Sequence, residues 1–470
     1  MNEIEWTPEK GEKCGIAGVY GAPKAVNFVV SLLADLQHRG QESAGAGTSD
    51  GRRLHVRVKK GLVSQVFPSS RLPSLPGRMA IGHTRYPTSG GFYPRFGQPY
   101  LHRKPNFLLA HNGNIPDVSD LEMDLRRHEI DPSGLSDSQL VAKAIGIRYQ
   151  REKSLENAAL QVFPNVKGAY SMLLMDLKYM IAVRDHYGLR PLSIGEVGDA
   201  YVFASETCAF GPIGAKHVRD VEPGELVSVS ANGFDSKRFA EGKQKLDIFE
   251  FIYFARPDSM LLGKSVSEVR ENFGRELAKE YPLDLDVIVP VPQSANEAAL
   301  GYAQATGIPL KYWLIKGRDR RTFIEPTPEM QLQGVRQKLS PVPGAFNGMN
   351  VGFVEDSVVR GTSSRQLAAI AREMGAKKVR LLSASPPIRY PDFYGIDLPR
   401  QEDLIAHGRN EEEIAAALGL DSIHYLSYEG MIRATGLPES MFSTACFTGE
   451  YPLDIGRERK KVEGLPKEGA

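Results

Sequence analysis

A chain of 470 residues, 41% of them hydrophobic, is long enough for two or three cores, so more than one domain is expected. A formal net charge of +1 gives no argument for nucleic acid or an anionic membrane as partner. No apolar run approaches the ~20 residues of a membrane span, and the charged first 13 residues lack the apolar stretch of a signal peptide, so a soluble, cytoplasmic protein is expected. Three separated cysteines, Cys14, Cys208 and Cys446, offer neither a disulfide framework nor a metal set, in keeping with a reducing compartment.

The polar start gives way abruptly at Cys14 to an apolar strand pattern, Cys14-Gly15-Ile16-Ala17-Gly18-Val19-Tyr20. A cysteine at a strand edge is usually packing. Three polar segments follow. Gln37-His38-Arg39-Gly40-Gln41-Glu42-Ser43 is a turn after an amphipathic helix. Ile81-Gly82-His83-Thr84-Arg85-Tyr86-Pro87-Thr88 is a strand ending in polar groups, and Ala110-His111-Asn112-Gly113-Asn114-Ile115 follows another apolar strand. Taken alone, Asn112-Gly113 reads as a hairpin turn and Arg85 as half of a surface ion pair. Strands and turns continue to the Lys- and Gln-containing run 237–245, which marks a boundary.

Beyond it, Asp286 to Pro292 is a buried strand ending in Gln293-Ser294-Ala295, and 316–338 is a basic, Pro-containing segment whose default reading is a solvated loop. Val351 to Val354 is a further buried strand, with Glu355 and Asp356 at its carboxyl end. Arg360-Gly361-Thr362-Ser363-Ser364 then opens an amphipathic helix read over Arg365 to Met374. Free N–H groups at a helix start, three hydroxyls and a glycine suit a phosphate monoester. Adjacent carboxylates suit a vicinal diol or Mg²⁺. A phosphate one sugar away from a diol describes a ribose 5-phosphate. Lys378 to Ser385 is another strand whose βαβ spacing supports a parallel sheet. The tail from Glu402 to Ala470 reads as largely helical and polar.

Two resemblances join these pieces. The segments around Cys14, Gln37–Ser43, Ile81–Thr88, Ala110–Ile115 and Ser136-Asp137-Ser138 together resemble the glutaminase domain of the N-terminal-nucleophile amidotransferases, from Cys14 to about residue 240. The 351–366 segment resembles the phosphoribosyl-diphosphate loop of phosphoribosyltransferases, most closely the glutamine amidophosphoribosyltransferases, with Glu355-Asp356 and Thr362-Ser363 where that family has two Asp and two Thr. The implied fold combines α/β and α+β parts: an αββα glutaminase domain followed by a parallel-sheet phosphoribosyltransferase domain. The expected divisions are a propeptide 1–13, domains 14–245 and 246–440, and a tail 441–470.

The resemblance implies Cys14 as nucleophile with its own α-amine as base, an oxyanion hole from Asn112 and Gly113, and glutamine held by Arg85, Thr88 and Asp137. Residues Glu355, Asp356, Arg360, Gly361, Thr362, Ser363, Ser364, Lys316, Arg321 and Lys338 would bind phosphoribosyl diphosphate. Mg²⁺ would be held by Ser294, Glu355 and Asp356. Phe249 to Ser259 matches the passage between domains, and its aromatics are candidates to wall an ammonia route. Purine nucleotides as feedback inhibitors and a homo-oligomer are also implied. Some family members hold an iron–sulfur cluster with four thiolates; the matching positions here are Asp247, Asp392, Ser443 and Cys446, so no cluster is expected.

The reaction so implied makes 5-phosphoribosylamine, glutamate and diphosphate, the first committed step of purine synthesis. Three departures from the family pattern, Gln293, Gln331 and Glu355, keep open a paralogue acting on another phosphosugar or acceptor. A non-catalytic nucleotide-binding regulator is a further alternative.

Overall fold

The computed structural model describes residues 14–86, 94–316, 339–396, 398 and 400–464. Its first half is two stacked sheets. One has seven strands in the order β11-β9-β10-β1-β4-β2-β3, built from β1 (Cys14–Tyr20), β2 (Ser43–Ser49), β3 (Leu54–Lys60), β4 (Met79–Arg85), β9 (Ser193–Val197), β10 (Ala200–Ala204) and β11 (Lys216–Asp220). The other runs β13-β12-β8-β7-β6-β5, from β5 (Tyr100–Arg103), β6 (Asn106–Asn114), β7 (Ala169–Met175), β8 (Met180–Arg184), β12 (Glu225–Ser230) and β13 (Gly233–Arg238).

Period-two alternation builds the layers. Ile16 of β1, Ile81 of β4, Leu108 of β6 and Leu173 of β7 meet between the sheets. Ala17 and Val19 of β1 instead join Val26, Val29 and Leu33 of helix α1 (Ala25–Asp35), beside the short α2 (Val63–Val66). On the opposite outer face, Phe107 and Leu109 pack with helices α3 (Ser119–Arg127), α4 (Asp137–Glu152) and α5 (Leu155–Val162). Helices outside and sheets inside give the expected αββα order.

The chain then passes through β14 (Leu246–Asp247) into a π-helical turn, Glu250–Phe254, and a small hairpin of β15 (Met260–Leu261) and β16 (Lys264–Ser265). Helices α6 (Val266–Glu280) and α7 (Asn296–Thr306) flank β17 (Val287–Pro290). A two-stranded ribbon follows, β18 (Leu314–Lys316) with β19 (Leu339–Pro341), then β20 (Asn350–Glu355), β21 (Lys378–Ser383) and β22 (Ser422–Tyr425). Strands β17-β20-β21-β22 form a parallel sheet with Val289 beside Phe353, Phe353 beside Leu381, and Leu381 beside Ile423.

One expectation needs correction here. The stretch read as largely helical and polar also contributes β22 to that sheet; four residues between two helices are too few for a strand pattern to stand out. The stretch from 441, expected as a C-terminal tail, packs back on the rest of the chain. Its β23 (Phe442–Ser443) pairs in parallel with β14, and Ile455 packs with Leu189 and Tyr394, which ties the chain end to both halves. Among the described residues, no helix is long and apolar enough to cross a membrane.

Helices α6 and α7 touch through glycines. A Cβ on Gly274 would sit 1.8 Å from the Ala298 carbonyl oxygen, and one on Gly301 would sit 1.9 Å from that of Glu271. Backbone meets backbone, so no side chain can move aside. Gly274→Ala should therefore destabilise the second half by about 2 kcal/mol, overpacking outweighing the gain in helix propensity. Urea unfolding should register this as a lower midpoint with an unchanged slope. An unchanged midpoint would mean that the helices separate at no cost.

Two candidate active sites

The first site gathers at one end of the two sheets. Cys14 opens β1 and is paired in register with Arg85, the last residue of β4. Both are buried. Asn112 and Gly113 lie within β6, opposite Ser171 and Tyr170 of β7, and not in the turn that their dipeptide suggests. Gly113 holds φ +142°, and a Cβ there would fall 2.0 Å from the Ala169 carbonyl oxygen, so glycine is required. Ser205 ties the two strands together. Its hydroxyl accepts from Ile16 N (3.0 Å) and from Asn112 Nδ2 (3.5 Å). Asn112 Oδ1 is buried without a hydrogen-bond partner among the described residues, so this carboxamide has an acceptor unspent, while Nδ2 has a second N–H beyond the one given to Ser205.

Asp137 is the first residue of α4, set by a capping box in which Ser136 accepts from Gln139 N. Its carboxylate is already fixed, accepting from Ile115 N (3.2 Å) and Ser138 N (2.6 Å). His111 and Gln98 brace it: His111 Nδ1 lies 3.0 Å from Ser138 Oγ, and His111 N donates to Gln98 Oε1 (2.7 Å). Burial draws the Arg85 guanidinium down to about 10, with the charge of Asp137 opposing, so it stays cationic at neutral pH. A buried fork-shaped cation beside an oriented carboxylate can receive the carboxylate and ammonium of an α-amino acid. Of the expected residues, Thr88 lies outside the described residues. Sequence reasoning gave no role to Gln98, which carries no motif of its own, and none to His111 or Ser205, whose segments point to no bonding partner.

The second site lies at the carboxyl end of the parallel sheet, where ligands bind in such folds. Glu355 ends β20. The following helix is Thr362–Glu373, three residues earlier than read, with Gly361 as a left-handed N-cap that brings no side-chain cap. Its first N–H groups are left to whatever binds there. Thr362 and Ser363 are exposed, whereas the Ser364 hydroxyl turns inward to donate to Glu355 Oε2 (2.7 Å). Ser294, in the turn between β17 and α7, donates to Asp356 Oδ2, and Ser357 donates to Oδ1 (2.6 Å).

Arg360 is exposed beside the loop, and Lys316 is exposed at the end of β18. Arg321, Gln331 and Lys338 lie outside the described residues. The four positions matched to a cluster do converge: Asp247 pairs with Ser443, and Asp247 and Asp392 act on each other and on Cys446. Burial and those acids raise the Cys446 thiol, which is therefore not a thiolate at neutral pH. Among the described residues no three His, Cys, Asp or Glu side chains are disposed to hold a metal ion. Glu355, Asp356 and the Ser294 hydroxyl are hard oxygen donors of the kind Mg²⁺ takes together with substrate phosphates, so this set fits that ion.

Comparison with known proteins bears on both sites. Residues 94–211 match the glutamine amidotransferase domain family. The chain is 42% identical over 453 residues to the amidophosphoribosyltransferase of Bacillus subtilis, covering 94% of this chain and 95% of that protein. It superposes with a TM-score of 0.88 and 41% identity on the structure of the B. subtilis glutamine phosphoribosylpyrophosphate amidotransferase complexed with ADP and GMP, covering 95% and 98% of the two chains. A structure described as the allosteric regulatory enzyme of purine biosynthesis matches with a TM-score of 0.89 at 41% identity, over 96% and 98%.

Glu355 makes a pH dependence measurable. Burial first, and then the adjacent Asp356 charge, push its carboxyl up to about 8, against the bond from Ser364. The unfolded chain releases this proton near ~4.3. Between those values the folded form holds a proton that the unfolded form has lost, so stability falls as pH rises through the window. Glu355→Gln removes that slope. In ligand-free protein, the Tm of the variant relative to the wild type should rise between pH 6 and pH 9. Parallel Tm profiles would contradict the assignment.

Proposed function

Because the chain belongs to the amidophosphoribosyltransferase family, we infer that its two sites act in series on glutamine and phosphoribosyl diphosphate. The enzyme converts these to 5-phosphoribosylamine, glutamate and diphosphate, the first committed step of purine synthesis. The observation that carries the residue assignments is the register pair of Cys14 with Arg85, beside the buried Asn112-Gly113 pair of β6 and a pre-oriented Asp137.

In the first half-reaction Arg85 receives the glutamine α-carboxylate and Asp137 its ammonium. Cys14 Sγ attacks the side-chain amide carbon while the α-amine of Cys14 takes the thiol proton. An α-amine has an unperturbed pKa near ~8, which suits a base at neutral pH. The oxyanion that develops is met by the Asn112 side-chain amide and Gly113 N–H. The proton passes to the leaving nitrogen, ammonia departs, and water then cleaves the thioester to glutamate. This chemistry asks for a free nitrogen on Cys14, so removal of residues 1–13 belongs to the proposal.

In the second half-reaction ammonia adds to the anomeric carbon and diphosphate leaves. The first turn of helix Thr362–Glu373 binds the 5-phosphate, with Thr362 and Ser363 as hydroxyl donors. Glu355 and Asp356 accept from the ribose diol. Mg²⁺, held by Ser294, Glu355 and Asp356, would neutralise charge on the departing diphosphate. Lys316, Arg321, Arg360 and Lys338 supply further positive charge. The nucleotides in the B. subtilis structure support purine nucleotides as effectors here too. A cytoplasmic homo-oligomer without an iron–sulfur cluster completes the proposal.

Two substitutions test the halves separately. Cys14→Ala should reduce glutamine-dependent diphosphate release by more than about a thousandfold, while release driven by saturating ammonia persists. Asp356→Asn should slow the ammonia-driven reaction by about thirtyfold or more, on the order of 2 kcal/mol for a hydrogen bond to a charged group. Ammonia-driven release untouched in Asp356→Asn would withdraw the sugar-site assignment. Intact mass of active protein should give Cys14 as the first residue, and full glutaminase activity from a chain beginning at Met1 would refute the role of the α-amine.

A further inference from the structure

The segment between the two sites is clasped from both sides by buried arginines. Glu250, first residue of the π-helical turn, has no exposed surface. Its Oε1 receives Arg39 (3.3 Å) and faces Arg190 (3.2 Å), and its Oε2 receives Arg39 again. Those two arginines belong to the first half of the chain. From the second half comes Arg270, 2% exposed in the middle of α6. Its Nε donates to the Phe251 carbonyl (2.7 Å) and its second terminal nitrogen to the Ala255 carbonyl (2.8 Å).

One planar fork thus holds both ends of the same turn, which a point-charge lysine cannot do. Neither bond is to a carboxylate. The charges felt by Arg270 are those of Glu297 and Asp356 on the sugar side and Glu206 on the glutamine side. Helix α6 is also the one in glycine contact with α7, which begins two residues after Ser294. The clasped turn itself is aromatic, with Phe251 and Phe254 buried and Tyr253 43% exposed.

We propose that Arg270 is a positioning residue for nitrogen transfer: its two main-chain bonds hold the aromatic turn 250–254 against the grip of Arg39 and Arg190, closing the wall along which ammonia passes. This rests on the two-site reaction above and adds the residue that seals the path. Arg270 takes no part in either chemical step, so each half-reaction should survive its loss while their coupling fails.

Glutamate and diphosphate are to be measured together in the full-length enzyme supplied with glutamine, phosphoribosyl diphosphate and Mg²⁺. The wild type should release the two in equal amounts; failure of that control would count against the two-site reaction and not against Arg270. Arg270→Lys should release several-fold more glutamate than diphosphate, with ammonia-driven diphosphate release and the KM for glutamine near wild-type values. A ratio of one in folded Arg270→Lys, or equal loss of both half-reactions, would overturn the proposal. Glu250→Asp, which shortens the opposing contact without removing its charge, should give the same excess and serves if Arg270→Lys does not fold. Hydrogen exchange of the wild type is a check independent of any variant. Amides 251–255 should exchange as slowly as the centre of α6, and fast exchange there would equally overturn the proposal.

Discussion

Two carboxylates with no exposed surface, Glu206 and Glu250, are bridged by one buried guanidinium, that of Arg39. Burial alone would push Glu206 upward, yet the charges of Arg39 and His38 hold it well below the usual carboxylate range. Removing one partner from such a set leaves an uncompensated charge, a loss of about 3–5 kcal/mol. The consequence is positional. Glu250 belongs to the segment that leads into the sugar-binding half, Glu206 follows β10, and Arg39 adjoins Gly40, which lies against the backbone of Arg85. Further bonds to Glu206 from Arg256 N (2.8 Å) and Ser259 Oγ (2.7 Å) bring in the other end of the linking segment. The end of β4 that would grip glutamine and the segment leading into the second half are therefore held by one ionic set.

Function and stability pull in opposite directions at the second site. Glu355 and Asp356 are adjacent acids, and among the described residues no cation is bonded to Glu355, whose charged form is disfavoured by burial and by its neighbour. Ser364 satisfies one oxygen of Glu355 without neutralising its charge. A divalent ion at that carboxylate would relieve the conflict. The first site shows the complementary strategy, with Asp137, Ser138, Gln98 and His111 bonded into place before any ligand arrives.

Much of this was legible in the sequence because the chemistry is carried by contiguous residues. Cys14 stands where an apolar strand begins. Glu355, Asp356, Gly361 and Thr362 follow one another within a single strand-to-helix turn, and the acid pair, the glycine and the hydroxyls all appear in order. Asn112-Gly113 was legible as a pair but not as part of a strand, because the dipeptide's local preference favours a turn and only pairing with Ser171 and Tyr170 overrides it. β22 was hidden by its length, and its identity comes from its place beside β21. Arg270 was out of reach. In sequence it is one of several charged residues in an amphipathic helix, and its partners are main-chain carbonyls, which leave no trace in residue type. The bonds from Arg39 to Glu206 and Glu250 span 167 and 211 residues, and no local pattern encodes them.

The central claim is that the two sites are one enzyme joined by an enclosed route for nitrogen. Glutamine labelled with ¹⁵N at its side-chain amide, supplied with phosphoribosyl diphosphate and Mg²⁺ in the presence of unlabelled ammonium, tests this most directly. The product amine, trapped as it forms and read by mass spectrometry, should carry ¹⁵N undiluted by the ammonium in solution. A product whose label is diluted to the isotopic composition of the bulk ammonium would contradict the account, because ammonia would then be leaving one site for solvent before it reached the other.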